Sequence, residues 1–149
     1  MALPPAAALL PRLRRIRERS EALIAGLEPE DLCLQGMADA SPAKWHLGHT
    51  SWFFQEFLLG GALPDERWRY LFNSYYEAVG PRQPRPQRGL LTRPPIAEVL
   101  AWRQRVTEAL TDLVETLAPR AEEPEVAQRL ALVELGLQHE QQHQELLLM

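Results

Sequence analysis

The sequence predicts an all-α protein, an antiparallel four-helix bundle with a long loop between helices two and three. Four stretches repeat apolar residues at intervals of three and four, and no stretch shows the alternation of a strand. Prolines and glycines fall at the ends of the periodic stretches. A chain of 149 residues suits a single domain, residues 1–149, that buries a core without disulfides.

The first two helices are predicted from about Pro5 to Leu27 and from Ser41-Pro42 to about Leu59. The five arginines of residues 12–19 are interpreted as a solvated face of helix one, since they alternate with its core-facing positions. At the start of helix two, Ser41 is expected to accept hydrogen bonds from the first amides, with proline at the first helical position. The inward face of helix two is predicted to carry Trp45, His49, Trp52, Glu56 and Leu59.

Residues 60–95 show no sustained period, and loops of this length in a compact domain tend to be functional. The first half is rich in aromatic residues, and the second half combines prolines with arginines that can bind a carboxylate or phosphate. Composition alone favours a solvated, proline-rich linker.

Helices three and four are predicted from near Pro95 to Pro119, and from Glu122–Glu125 to near the end of the chain. Helix three looks purely structural. Helix four has apolar residues on two faces, which places it centrally in the bundle. One face carries Leu132, Gly136, His139, His143 and Leu146/Leu147, and the other carries Val126, Leu130, Val133 and Leu137.

The chain has four histidines, in two pairs that each span about one helical turn. His139 and His143 lie at i and i+4 on an inward face, a pattern of either a metal site or two packed core histidines. With His49, three nitrogens would occupy one side of a metal and leave positions open for a substrate. His46 lies on a flank of its helix, where we expect an exposed or a supporting role.

The run from His139 to His143 also fits the zinc-protease pattern H-E-x-x-H, with Glu140 as general base. That pattern needs a third ligand downstream and a sheet edge to align a peptide. The sequence supplies neither, so a protease is the least favoured interpretation.

Composition excludes several function classes. A net charge of −4 and a pI near 5.6 argue against general nucleic-acid binding, although the basic segments can hold a small anion. The single cysteine excludes an internal disulfide and suits a reducing compartment. No run approaches the ~18–20 apolar residues of a membrane span, and the N-terminal segment has the reverse order of a secretory signal. We therefore expect a cytoplasmic protein with no membrane partner.

Four segments resemble one family. Ser41–Phe54, Leu71–Arg82, Pro84–Leu91 and His139–Glu145 read SPAKWHLGHTSWFF, LFNSYYEAVGPR, PRPQRGLL and HEQQHQE. In this order they closely resemble the N-terminal DinB-like domain of ergothioneine-biosynthesis sulfoxide synthases (EgtB type), and the resemblance covers nearly the whole chain.

The resemblance implies a DinB-like bundle that binds non-haem Fe(II), or alternatively Zn2+ or another divalent metal, through His49, His139 and His143. The implied activity joins hercynine (trimethylhistidine) to γ-glutamylcysteine or cysteine with O2. Arg85 and Arg88 match the arginines that bind carboxylates of the thiol substrate. The loop that composition describes as a linker would then be a substrate clamp.

Family members continue into a formylglycine-generating-enzyme-like domain, which supplies part of the active-site wall and a tyrosine important to the oxidation. This chain has no counterpart of it, so we expect it to bind iron but to make sulfoxide poorly or not at all alone. The apolar end of helix four, residues 146–149, is expected to favour self-association or a partner domain.

Two other functions fit the same residues. One is a stand-alone DinB-like thiol transferase or isomerase with a divalent metal, usually Zn2+, for which this length is complete. The other is a non-catalytic bundle that binds a partner chain through the end of helix four.

Overall fold

The computed structural model describes residues 6–61, 63–74 and 80–149, and within these ranges the secondary structure is helical, with no strand. This confirms the predicted all-α class and a helical bundle. The four long helices correspond to the four predicted ones, although the first ends five residues earlier than expected. The helices are α1 (Ala6–Ala22), α2 (Pro29–Leu32), α3 (Ala43–Phe54), α4 (Arg67–Phe72), α5 (Ile96–Leu117) and α6 (Pro124–Leu148).

The long helices pack so that α1 and α3 each contact both α5 and α6. The apolar residues that recur at helical spacing meet in one core, which includes Leu13, Trp52, Val106, Leu110 and Leu137. Helix α6 packs against both α1 and α3, but so does α5, so the helix contacts do not single out α6 as the central helix that its two apolar faces predicted.

Helix α3 ends in a π-helical turn, Gln55–Leu59, and the chain then turns at Gly60. The φ of Gly60 is +61°, in the left-handed region that glycine adopts without a steric cost. The end of helix two was therefore predicted correctly, although its last turn is wider than an α-helical turn.

The long loop contains a helix that the sequence pattern did not predict. Trp68 and Phe72, one turn apart on α4, are buried against Trp102 of α5. The i, i+4 spacing of these two aromatic residues was the available signal for this helix. A helix of six residues is too short to show a sustained apolar period. A 3₁₀ segment, Arg85–Leu90, follows later in the loop. Residues 75–79, part of the segment that carries the family resemblance, lie outside the described ranges.

Two glycines allow close approach around the histidine-bearing helices. A Cβ added at Gly136 of α6 would lie 2.3 Å from the ring of Phe54 on α3, and one at Gly48 of α3 would lie 2.3 Å from the ring of Phe72. Neither spacing is compatible with a side chain at the glycine. The absence of a Cβ at Gly136 therefore permits the close contact between α6 and α3, the two helices that carry the histidines.

Within residues 6–61, 63–74 and 80–149, none of the helices combines the length and the apolar character that crossing a membrane requires.

Candidate metal centre

The four histidines converge at the contact between α3 and α6. His49 of α3 and His139 of α6 face each other with 3.2 Å between their Nε2 atoms. The ring of His143 lies 4.5 Å from that of His139 and 4.6 Å from that of His49, centroid to centroid. Each of these three residues offers one ring nitrogen, and the three nitrogens lie within 4.8 Å of one another. His49 therefore meets His139 and His143, as predicted.

The orientation of His49 is fixed by neighbours in the core. Its Nδ1 lies 2.6 Å from the carbonyl oxygen of Phe72, which can only accept, so Nδ1 carries the proton and Nε2 has a free lone pair. The ring stacks on Trp45 at 4.5 Å with an interplanar angle of 9°. Because Gly48 lets Phe72 approach α3, the backbone carbonyl that holds His49 is itself held by packing.

The site keeps its histidines neutral. Burial lowers the pKa of His139 to about 4, although the nearby Glu140 opposes that shift. Burial, assisted by the neighbouring imidazoles, lowers the pKa of His143 to about 3 and that of the fully buried His49 well below its usual value. Neutral imidazole is the form that binds a metal. At neutral pH no proton has to leave before a metal enters.

The donor set fits a divalent metal. Two nitrogens that share a metal at about 2.1 Å are about 3.0–3.4 Å apart for angles of 90–109°, and the His49 and His139 Nε2 atoms match that spacing at 3.2 Å. Among the described residues the buried Nδ1 of His139 has no hydrogen-bond partner. Imidazole donors suit Zn, Cu, Fe and Ni, so the histidines alone do not select one metal.

His46 was predicted to have either an exposed or a supporting role, and the exposed alternative is wrong. It is 5% exposed, and its Nδ1 lies 2.9 Å from Nδ1 of His143. Its position on α3, one turn before His49, turns it toward α6 because α3 is buried on nearly every side. The alternative expectation, a role in support of a ligand, agrees with this contact.

A cavity of about 480 Å³ opens onto the histidines, a volume typical of small-molecule sites. Its walls combine the four imidazoles with two guanidinium groups from the 3₁₀ segment of the long loop. The lining residues are Asp39, Ala40, Ser41, Trp45, His46, His49, Ser74, Arg85, Arg88, His139, Gln142, His143, Leu146 and Met149.

Arg88 is a buried cation in this cavity wall. Its guanidinium carbon lies 3.7 Å from the centroid of the Trp45 ring, and its Nη1 donates to Ser41 Oγ at 2.9 Å. Its buried Nε has no partner among the described residues, and no carboxylate of those residues forms an ion pair with it. Burial, followed by repulsion from Arg85 and Arg82, lowers the pKa of Arg88 to about 10, so it remains charged at neutral pH.

Ser41 does not cap α3 as predicted. The N-cap position is Pro42, the helix begins at Ala43, and no side chain caps it. The hydroxyl of Ser41 accepts from Arg88 instead, which positions the guanidinium against Trp45.

A second buried polar cluster, which sequence reasoning missed, lies on another side of α6. Glu140 is fully buried and accepts from Arg17 and Arg103 at 2.8 Å each and from Ser20 at 2.6 Å. Burial alone would raise the pKa of Glu140, but the two arginines and the hydroxyl outweigh it and lower that pKa to about 2. We call Arg17, Ser20, Arg103 and Glu140 the ionic cluster.

The ionic cluster corrects three interpretations. Arg17 is 1% exposed, so the arginine run is not wholly a solvated face, and α5 contributes a buried charge in Arg103 as well as apolar packing. Glu140 is bound by two arginines and does not line the cavity, so it is not placed as the base of a protease. Outside the ionic cluster, Glu56 was expected on the inward face of helix two but forms an ion pair with Arg69 of α4.

One comparison identifies relatives. The family model described as "DinB superfamily" matches residues 12–147, which is nearly the whole chain. No curated protein matches the chain.

Proposed function

The chain belongs to the DinB superfamily of metal-binding domains, and from this premise we propose a specific role for it. We propose that it is the iron-binding domain of an ergothioneine-biosynthesis sulfoxide synthase. In this role His49, His139 and His143 bind non-haem Fe(II). The substrates are hercynine, O2 and a thiol, either γ-glutamylcysteine or cysteine.

The buried charge of Arg88 supports this proposal most directly. A guanidinium that is 3% exposed and has no anionic partner among the described residues is costly to bury, unless a ligand supplies the negative charge. Arg88 lines the same cavity as the three histidines. A ligand that places a carboxylate on Arg88 and a thiolate on the metal would satisfy both ends of the cavity.

Arg85 and Arg88 have different parts in this proposal. Arg88 is held in place by Trp45 and Ser41, so its free Nε direction is fixed before a substrate enters. Arg85, half-buried in the same cavity, is proposed to meet a second carboxylate oxygen or a second carboxylate. Two guanidinium groups suit a thiol that carries one or two carboxylates.

The proposed reaction forms a carbon–sulfur bond between the imidazole carbon of hercynine and the thiol sulfur. One atom of O2 is transferred to that sulfur, and the other leaves as water with the hydrogens of the thiol and the imidazole carbon. Fe(II), when bound, supplies the redox chemistry with O2. The chain's own residues hold three neutral donors, bind the thiol carboxylate, and bury the ligands among aromatic rings that exclude water.

Binding of thiols with and without a carboxylate tests the proposal. The protein is loaded anaerobically with Fe(II) and titrated with γ-glutamylcysteine, cysteine and cysteamine, which has no carboxylate. We expect the two carboxylate thiols to bind more tightly than cysteamine. Arg88→Gln should weaken their binding about 10- to 100-fold, as the loss of a charged hydrogen bond predicts, and leave cysteamine unchanged. Arg93→Gln, an exposed arginine of the same loop, is the matched control.

Several results would contradict the proposal. Equal binding of cysteamine and γ-glutamylcysteine would remove the role of Arg88. Tightly held Zn2+, with no spectral change when O2 is admitted to the Fe(II) form with hercynine and thiol, would favour a thiol transferase instead. Sulfoxide detected by mass spectrometry after O2 is admitted would support the synthase directly.

A further inference from the structure

In the hydrogen bond between His46 and His143, one ring must donate and the other must accept. The two Nδ1 atoms lie 2.9 Å apart, a hydrogen-bond distance, so one carries a proton and the other accepts it. His46 is 5% exposed, so little water competes for this bond. A neutral imidazole has only one N–H, and each possible direction therefore selects one tautomer of each ring.

Only one direction leaves His143 able to bind a metal through Nε2. If Nδ1 of His143 donates, its Nε2 has a free lone pair. If Nδ1 of His46 donates, the proton of neutral His143 lies on Nε2 and blocks that nitrogen. The Nδ1 that faces His46 is already occupied by the hydrogen bond, so Nε2 is the nitrogen left for a metal.

His49 provides an internal precedent. Its Nδ1 donates to the carbonyl oxygen of Phe72, which leaves Nε2 free. Partners of this kind fix the tautomer and raise the basicity of metal-binding histidines. His143 lacks such a carbonyl contact among the described residues, and the imidazole of His46 occupies the equivalent position.

We propose that His46 is a positioning residue whose Nδ1 accepts a hydrogen bond from Nδ1–H of His143 and so directs Nε2 of His143 toward the metal. This inference rests on the proposed metal centre. It assigns to the first histidine of the W-H-L-G-H run a task that neither its flank position nor its neighbours in sequence reveal.

The test combines a tautomer readout with a metal readout on the full chain. Histidine-labelled ¹⁵N spectra of the metal-free protein report which ring nitrogen of His143 is protonated. Co2+ titration, followed by visible absorption, reports metal affinity without O2 chemistry. The variants are His46→Leu, which removes the acceptor, His46→Asn, whose side-chain oxygen can accept at the same place, and His143→Ala, which removes the ligand.

We expect wild-type His143 to be protonated on Nδ1, and His46→Leu to lose that preference. Co2+ affinity should fall about 10- to 100-fold in His46→Leu, the range for lost partners of metal-binding residues, and His46→Asn should recover most of the loss. A rescue by asparagine separates positioning from mere packing, because leucine also fills the space.

Other outcomes overturn the inference. Protonation of wild-type His143 on Nε2, or wild-type Co2+ affinity in His46→Leu, would remove the positioning role. If Co2+ affinity fell as far in both His46 variants as in His143→Ala, His46 would be a metal ligand and not a positioning residue. If the wild type bound no Co2+, the proposed metal centre would fail, and the ¹⁵N spectra would still decide whether His46 sets the tautomer of His143.

Discussion

Two buried polar clusters share helix α6 and differ in how their charges are compensated. In the ionic cluster both oxygens of Glu140 accept hydrogen bonds from charged or hydroxyl donors, and no residue of the cluster lines the cavity at the histidines. In the histidine cluster, His49, His139 and His143 each present a ring nitrogen within 4.8 Å of the others, and the cavity beside them contains Arg88, which forms no ion pair with a carboxylate of the described residues. This difference agrees with a structural role for the first cluster and with the ligand-binding role that we propose for the second.

The contrast also has a geometric side. Glu140 immediately follows His139, and successive residues of a helix point about 100° apart. The ionic cluster joins α6 to α1, α3 and α5 through Arg17, Ser51 and Arg103. By fixing the rotation of α6, it determines where His139 and His143 point.

The largest expected effect is on the ionic cluster. Glu140→Gln keeps the shape of the side chain but leaves two buried arginines without a counter-charge, and we expect a loss of about 3–5 kcal/mol in the free energy of unfolding. Chemical denaturation measures it. Glu123→Gln, which breaks the exposed pair with Arg120, should change stability little. Similar losses in both variants would contradict the comparison.

Lowering the pH should remove much of the stability difference between wild type and Glu140→Gln. The pKa of Glu140 is lowered from 4.5 to about 2 in the folded protein, so its stabilising contribution is complete above pH 4.5 and is lost as pH falls toward 2. Because a pKa difference of one corresponds to about 1.4 kcal/mol, the stability gap between wild type and Glu140→Gln should shrink by up to about 3 kcal/mol. Urea denaturation between pH 7 and the acid range measures the gap, and a gap that stayed constant would show that the carboxylate charge is not its source.

A smaller loss in stability is expected where the two histidine-bearing helices touch. Gly136→Ala places a methyl group against the buried ring of Phe54, and overpacking of this kind costs about 1–3 kcal/mol, more than the helical preference for alanine recovers. Metal affinity should fall as well, because α6 must move away from α3. Gly36→Ala, where nothing lies within 4 Å of the added Cβ, is the control. Unchanged stability and Co2+ affinity in Gly136→Ala would show that this contact does not set the site.

The smallest stability effect is expected in the histidine cluster. In metal-free protein His143→Ala should cost about 1 kcal/mol, the net contribution of its one hydrogen bond. With metal at about 100 times its dissociation constant, wild type should gain about 2.7 kcal/mol, and His143→Ala should gain much less. Thermal unfolding with chelator and with Co2+ measures both. A large loss without metal would mean that the histidines are primarily core residues.

The sequence predicted the helices and the inward faces that carry the histidines, because both depend on local spacing. Apolar residues at intervals of three and four define helix faces, and His139 and His143 lie on one of those faces. The position of Arg88 was not readable from spacing, because it depends on how a loop of irregular conformation returns to Ser41 and Trp45.

The ionic cluster was missed for a different reason. The arginines of residues 12–19 were assigned to a solvated face, but Arg17 lies in register with Leu13 and Ile24, at i+4 and i+11. Arg103 has the same register between Val99 and Val106, and Glu140 follows Val133 and Leu137. Three charges at core positions, two positive and one negative, were a readable signal that a buried ion cluster forms.

The ionic cluster also makes this scaffold suitable for redesign. Because Glu140 anchors α6 without taking part in the cavity, the residues at 139 and 143 can be exchanged while the orientation of the helix is kept. Replacing His143 with a carboxylate, for example, would change the ligand set to two histidines and one acid at an unchanged backbone. If the ionic cluster fixes the helix orientation as we expect, the proposed metal ligands could be exchanged one at a time.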